Sequence, residues 1–315
     1  MTKISIIIVC YNGEKYIDRC ICNLKKQDYD NYEIIFIDDG STDNTKKIVK
    51  KYSDIVKYYK ANHMGIAHAR NLGIEKSTGN YFMFVDIDDY IDKTCLKKLS
   101  NSTANKPDLI KYGYKIISEE NEIIKEVKED KIDEISGEAL FTILCRKKEP
   151  FEMTCVYLYN KDYWVKNQFM YKEGHFHEDF GLTPLVILKA KKVNIINEPF
   201  YGYVQSSNSI TRNKDKEKIK SMAYDYLEHY IFLSQSVKNV EVNETTKQMF
   251  KSYISNAVIS KLSLLDKEEK KKYAYEIKKH KIYDNLETKT IFQKVKKILV
   301  KITVNYYSFL ERNNG

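Results

Sequence analysis

Four short apolar runs, each followed by a helical pattern, constrain this chain more than any other feature. Residues 4–9 (Ile-Ser-Ile-Ile-Ile-Val) form a nearly unbroken apolar run, and residues 33–37, 55–60 (Ile-Val-Lys-Tyr-Tyr-Lys) and 81–85 read as the next three strands. A strand covered on both faces of a parallel sheet reads this way, whereas a half-exposed strand alternates. Between the runs, residues 14–26 carry helical spacing through Tyr16, Ile17, Cys20 and Leu24. A turn at Asp38-Asp39-Gly40-Ser41-Thr42-Asp43 can cap a helix running to Tyr52, and residues 65–75 form a further helix. Strand and helix alternating at this spacing predict βαβ units with right-handed crossovers. The expected fold is α/β, a Rossmann-like, mainly parallel sheet flanked by helices.

Ligands of such sheets bind beyond the carboxyl ends of the strands. Three strands end there in chemically suggestive groups: Tyr11-Asn12, Asp38-Asp39 and Asp86-Ile87-Asp88-Asp89. No G-x-G-x-x-G or Walker-type loop follows the first run, which argues against a dinucleotide or P-loop site. Like charges this close need a cation or hydrogen-bond donors. Along an extended chain Asp86 and Asp88 point one way and Asp89 the other. A hard divalent ion suits the first two, and a solvated turn capping a helix over residues 92–99 is the alternative reading. The rim as a whole offers an aromatic face, an acceptor and a carboxylate pair, parts that suit a base, its ribose and its diphosphate.

Residues 108–160 read as a mixed region that builds an acceptor-facing wall. They comprise strand-like residues 109–117, a Glu/Lys-rich stretch to Glu134, a helix over 138–145 and strand-like residues 153–159. His175-Phe176-His177-Glu178-Asp179-Phe180 precedes a helix, where carboxylates favour the dipole or serve as caps. Residues 201–212 run from an aromatic strand into a polar loop ending in Arg212. From Lys214 the pattern is helical over 219–237, 245–265, 267–280 and 290–310. The last of these places Ile291, Val295, Ile298, Ile302, Tyr306 and Phe309 on one line, with Lys294, Lys297 and Lys301 off it. Packing on the preceding helices is the default expectation for that line. An anionic membrane surface or a partner subunit, giving a homo-oligomer, are the alternatives.

Charge separates the two parts of the chain. Of the formal net charge of +9, residues 214–315 contribute most, with 21 Lys+Arg against 13 Asp+Glu. An acidic partner surface is implied, and nucleic acid has only this charge in its favour, so none is expected. No apolar run approaches the roughly 20 residues of a membrane span. The start of the chain shows no secretory pattern, and six scattered cysteines lack metal-ligand spacing. A cytoplasmic protein with free thiols is expected, peripheral at the inner face of the cell membrane if the basic helix binds lipid.

Five motifs in register give the chain a specific resemblance: Ile-Ile-Val-Cys-Tyr-Asn (7–12), Ile-Asp-Asp-Gly-Ser-Thr-Asp (37–43), Gly-Ile-Ala-His-Ala-Arg-Asn-Leu-Gly (65–73), Phe-Val-Asp-Ile-Asp-Asp (84–89) and His-Glu-Asp (177–179). Over about residues 3–212 the sequence resembles the family-2 inverting glycosyltransferases of GT-A fold, common in bacterial polysaccharide synthesis. The resemblance implies a donor half at about 1–100 and an acceptor-facing half at about 101–212. A basic helical region over 213–315 follows. It implies that Tyr11 stacks on the nucleobase, that Asp39 accepts the uracil N–H, and that His63 and Arg70 help hold the nucleotide. Asp86 would contact the ribose or the metal shell, and Asp88 would ligate Mn²⁺ or Mg²⁺ on the diphosphate. Asp179 would be the general base, and Glu178, Ser209 and Arg212 are assigned to a donor loop. The implied partners are a UDP-sugar and a glycan or lipid-linked saccharide acceptor. Cys10 replaces the usual proline before Tyr11, and His63-Met64 replace the usual Asn with Gly or Gln.

Two other classes compete. A sugar-phosphate nucleotidyltransferase would want a Gly-rich basic loop after the first strand, where this chain has Tyr11-Asn12-Gly13-Glu14. A non-catalytic, membrane-associated scaffold on the same fold would release no UDP from any donor.

Overall fold

The computed structural model describes residues 1–147, 151–205 and 215–312. The chain divides into two compact units. The first comprises Met1–Leu140, Pro150–Gly174 and Ala190–Ser209, and the second Phe141–Glu149, His175–Lys189 and Ile210–Gly315. The segment carrying Glu178 and Asp179 thus groups with the C-terminal helices.

The first unit alternates β1 (Ile4–Cys10), α1 (Ile17–Leu24), β2 (Tyr32–Asp38), α2 (Thr45–Val49), β3 (Val56–Lys60), α3 (Ile66–Lys76) and β4 (Tyr81–Phe84). Next come β5 (Tyr90–Ile91), α4 (Cys95–Asn101), β6 (Leu109–Ile117), β7 (Ile123–Val127), β8 (Ile132–Ile135), α5 (Gly137–Lys147), which begins in the first unit and belongs to the second from Phe141, then β9 (Tyr157–Asn160) and α6 (Lys161–Lys166) of the first. Helix α7 (Glu178–Lys189) lies in the second unit, and β10 (Val193–Val204) returns to the first.

One sheet runs in the order β3-β2-β1-β4-β9-β6-β10-β5, with β7 beside β6 and β8 beside β10. Its first four strands are parallel, with Cys10 opposite Asp38 and Ile7 opposite Phe84. From β9 the sheet is mixed: β9 runs antiparallel to β4 and β6, while β10 is parallel to β6. The continuous apolar reading of the first strands is explained by burial. Ile4, Ile6, Ile7 and Ile8 of β1 and Ile34 to Ile37 of β2 are all inaccessible or nearly so. Gly73 lets α3 approach β1, since a Cβ there would lie 2.3 Å from Ile7 Cγ2.

Two local readings change. Helix α1 begins at Ile17 rather than at 14, because residues 12–14 are taken up by bonds to the next turn. Asn12 N donates to Ser41 Oγ (2.9 Å), Gly13 N to Thr45 Oγ1 (3.2 Å) and Glu14 N to Asp43 Oδ2 (3.0 Å). The Glu/Lys-rich stretch forms the edge strands β7 and β8, whose mostly exposed residues show no apolar periodicity.

The second unit contains α7, α8 (Lys216–Ser236), α9 (Glu244–Lys261), α10 (Lys267–Lys279) and α11 (Ile291–Arg312). Asp215, Asn243 and Asp266 cap α8, α9 and α10 by accepting first-turn amides. The default expectation for α11 is corrected. The side that packs carries Val304 and Ser308, both buried, and Lys297, whose Nζ donates to the carbonyl of Asp284 (2.6 Å). The line Ile291, Val295, Ile298, Ile302, Tyr306 and Phe309 is 48–80% exposed. Apolar spacing marks a face, but it does not say what covers it.

Candidate active site

Strands β1, β2 and β4 are neighbours, and their carboxyl ends hold most of the residues singled out above. Asp39 follows β2 and is anchored by its amide to the Cys10 carbonyl (2.8 Å). Its buried carboxylate accepts the Met64 amide on Oδ1 (3.0 Å) and the Gly65 amide on Oδ2 (2.9 Å), just ahead of α3. Gly65 has φ +92°, a conformation that glycine adopts freely. His63 Nδ1 lies 3.0 Å from the Asp39 carbonyl, and its ring stacks on Tyr11 with centroids 4.2 Å apart. Tyr11 is half exposed, so Tyr11, His63 and Asp39 form one open aromatic and acceptor surface. Asp38 is structural: it takes the Tyr58 hydroxyl (2.6 Å) and the Ser41 amide (2.8 Å).

After β4 the chain makes a turn, closed by the Asp89 amide on the Asp86 carbonyl (3.0 Å). The three carboxylates separate as a result. Asp89 is buried, accepting the Tyr201 hydroxyl on Oδ2 (2.6 Å) and the Val204 amide on Oδ1 (2.7 Å). Burial, with the charges of Asp86 and Asp88, pushes its pKa well above the usual carboxylate range. Asp86 and Asp88 are only partly buried. Arg70 lies 3.6 Å from Asp86 Oδ1 and is itself buried against the rings of Phe84 (5.2 Å) and Tyr171 (5.8 Å). Asp88 is raised first by burial and then by the charge of Asp86.

Those two carboxylates fit a hard divalent cation: two oxygen-donor groups whose mutual repulsion a cation would relieve. Among the described residues no three His, Cys, Asp or Glu side chains form a metal cage. A two-carboxylate site leaves the remaining coordination positions to phosphate oxygens and water, as Mg²⁺ prefers.

Glu178 and Asp179 occupy the first turn of α7 in the second unit, Glu178 buried and Asp179 partly so, with Asp179 Oδ1 accepting the Phe180 amide (2.7 Å). His177 has φ +57°, and its carbonyl accepts the Gly181 amide (3.0 Å). Burial, helped by Lys261, holds the His177 imidazole down to about 4, so it is neutral at physiological pH. Ser209 and Arg212 lie outside the described residues.

Sequence reasoning missed three supports of the site. Arg19 of α1 donates to the Asp88 carbonyl. Tyr201 Oη accepts the Asp86 amide (3.1 Å) while donating to Asp89. In the second unit Asp225 of α8 takes His175 Nδ1 (2.7 Å) and the Phe176 amide (2.8 Å), and His229 Nε2 lies 2.8 Å from the Phe176 carbonyl. Asp225 and His229, four apart on one helix, were the available signal.

Parallel strands whose carboxyl ends carry an aromatic–acceptor surface and a carboxylate pair make this an α/β protein with a candidate site at that rim. Residues 5–165, about half of the chain, match the description Glycosyl transferase family 2, and the chain belongs to that family. It is 29% identical over 222 residues to glycosyltransferase GlyA of Streptococcus pneumoniae. That match covers 67% of this chain but only 32% of GlyA, about a third of its length. Staphylococcus aureus TarS 1–349, solved in complex with UDP-GlcNAc, superposes with a TM-score of 0.58 at 20% identity, covering 90% of this chain and 89% of that one. Mannosyltransferase PcManGT of Pyrobaculum calidifontis, solved with GDP-Man and Mn²⁺, superposes at 0.56 with 14% identity, covering 84% and 72%. At these identities the two structures establish the fold, of GT-A type with a C-terminal helical region.

Proposed function

We propose that this chain is an inverting glycosyltransferase that moves a hexosyl or N-acetylhexosaminyl group from a UDP-sugar to a hydroxyl of a glycan or lipid-linked saccharide. Cell-surface polysaccharide synthesis, of capsule or exopolysaccharide, is the setting, on the cytoplasmic side of the membrane. The observation that carries this reading is the gathering of Tyr11, Asp39 and His63, after β1, β2 and β3, at the same end of the parallel sheet as Asp86 and Asp88 after β4.

In this reading Tyr11 offers its ring to the base, and Asp39, held rigid by two amides, accepts the uracil N–H. Arg70 fixes Asp86, which serves the ribose or the metal shell. Asp88, with Asp86, would hold Mn²⁺ or Mg²⁺, which when bound spreads the charge of the departing diphosphate, worth several kcal/mol. The acceptor oxygen bonds to the anomeric carbon as the bond to the diphosphate breaks, its electron pair leaving with the diphosphate. Asp179 takes the hydroxyl proton in that step, worth roughly 10²–10⁴ in rate. Two facts about relatives support the donor and the ion: TarS was solved with UDP-GlcNAc and PcManGT with Mn²⁺.

A screen for UDP release across nucleotide sugars, with Mn²⁺ or Mg²⁺ and with EDTA, tests the assignment. Release from one or more UDP-sugars that EDTA abolishes is expected. Release from guanosine donors alone would remove the uridine assignment, and pyrophosphate formed from a nucleoside triphosphate would replace sugar transfer with nucleotidyl transfer.

A further inference from the structure

The outward face of α11 takes no part in the chemistry above. Besides the six exposed residues of its apolar line, Phe292 and Leu299 are 77% and 58% exposed on the same side. The arc runs for ~27 Å at 1.5 Å per residue. Surfaces that meet only water rarely carry a continuous apolar patch of this extent. At 3.6 residues per turn Lys294 and Lys301 flank one edge of the arc and Lys296 the other, while Glu311 falls on the packed side. The patch also continues into a groove of about 280 Å³ where Ile259 and Leu262 face Phe292, Val295 and Leu299.

We propose that α11 is an in-plane membrane anchor, with its apolar arc in the acyl boundary of an anionic bilayer and Lys294 and Lys301 at the lipid phosphates. Charge selects lipid over a second copy of the chain. Four lysines stand on α11 against the single Glu311, so two copies face to face would set lysine edges against lysine edges. An anionic surface instead answers both edges, and residues 214–315 add their own excess of 21 Lys+Arg over 13 Asp+Glu. Among the described residues no helix is long and apolar enough to cross a membrane, so α11 lies on the bilayer. Lysine stems extend along the apolar edge and keep their ammonium groups at headgroup level. The inference rests on α11 and needs nothing from the donor site.

Flotation of the full chain with vesicles of phosphatidylcholine, with and without phosphatidylglycerol, tests it. The protein is expected to float with the anionic vesicles, less at high salt, and little with phosphatidylcholine alone. The triple variant Ile298→Ser/Ile302→Ser/Phe309→Ser should lose more than tenfold in partitioning. Lys294→Glu/Lys301→Glu should lose on the order of twentyfold or more, from about fivefold per lysine near the surface. All five side chains are exposed, so thermal unfolding of both variants should match the parent, which separates lost binding from lost folding. Failure of the parent to float, or equal flotation of the variants, would overturn the proposal. So would a lipid-free dimer in analytical ultracentrifugation that the serine variant abolishes, since a second copy would then cover the face.

Discussion

The Tyr201 hydroxyl joins β10 to the carboxylate turn, donating to Asp89 and accepting from the Asp86 amide. Both partners are lost together in Tyr201→Phe, which leaves a buried carboxylate short of a donor. A loss of about 1–3 kcal/mol in urea unfolding is expected. Weaker Mn²⁺ binding should accompany it, because the turn presenting Asp86 and Asp88 loosens. Glu33 shows a second residue-level effect, remote from the chemistry. Burial alone would raise its carboxyl, but donors from Lys57 (2.7 Å), Ser5 (2.6 Å) and Thr78 (2.7 Å) outweigh burial and hold it at about 2. A depressed folded pKa contributes stability above the unfolded value near 4.5, lost as pH falls toward 2. Denaturation profiles should therefore show a steep acid limb in that window for the parent. Glu33→Gln should flatten it and lower stability at neutral pH by about 2 kcal/mol.

At the scale of elements, the loop before α7 is fastened by α8 rather than by its own sequence. Asp225→Ala removes two of its bonds, to His175 and to the Phe176 amide. If α8 positions Asp179, this variant should bind UDP like the parent and lose at least tenfold in kcat. A parallel loss of UDP affinity would show that Asp225 supports the fold in general. The contrast between α8 and the first strands explains what could be read in advance. Strands β1, β2 and β4 were legible because burial on both faces leaves an apolar signature in each, while β3, at the end of the sheet order with Lys57 and Lys60 exposed, carries a weaker one. Helices α8 to α11 were legible from their 3.6-residue spacing. Strands β7 and β8 were not, since charged edge strands lack any apolar period. The turn at Asp86–Asp89 is not legible locally, because the Tyr201 hydroxyl that holds Asp89 inward lies 112 positions beyond it.

For the whole molecule, the residues assigned to the donor and to the base fall in different compact units: Tyr11, Asp39, His63, Arg70, Asp86 and Asp88 in the first, and Asp179 in the second. On the proposed roles, donor binding and transfer should be separable by substitution. The same sequence places its excess charge in the second unit, where α11 stands exposed. In the proposed reaction Asp88 holds the donor through a metal and Asp179 removes the acceptor proton. Calorimetric titration of UDP with Mn²⁺, paired with UDP-release rates on whichever donor is active, measures both in one set of variants. Asp179→Asn is predicted to bind UDP within a few-fold of the parent and to lose roughly 10²–10⁴ in transfer. Asp88→Ala is predicted to lose the Mn²⁺-dependent part of binding. Near-parental transfer by Asp179→Asn, or Mn²⁺-dependent binding unchanged in Asp88→Ala, would rule out those roles.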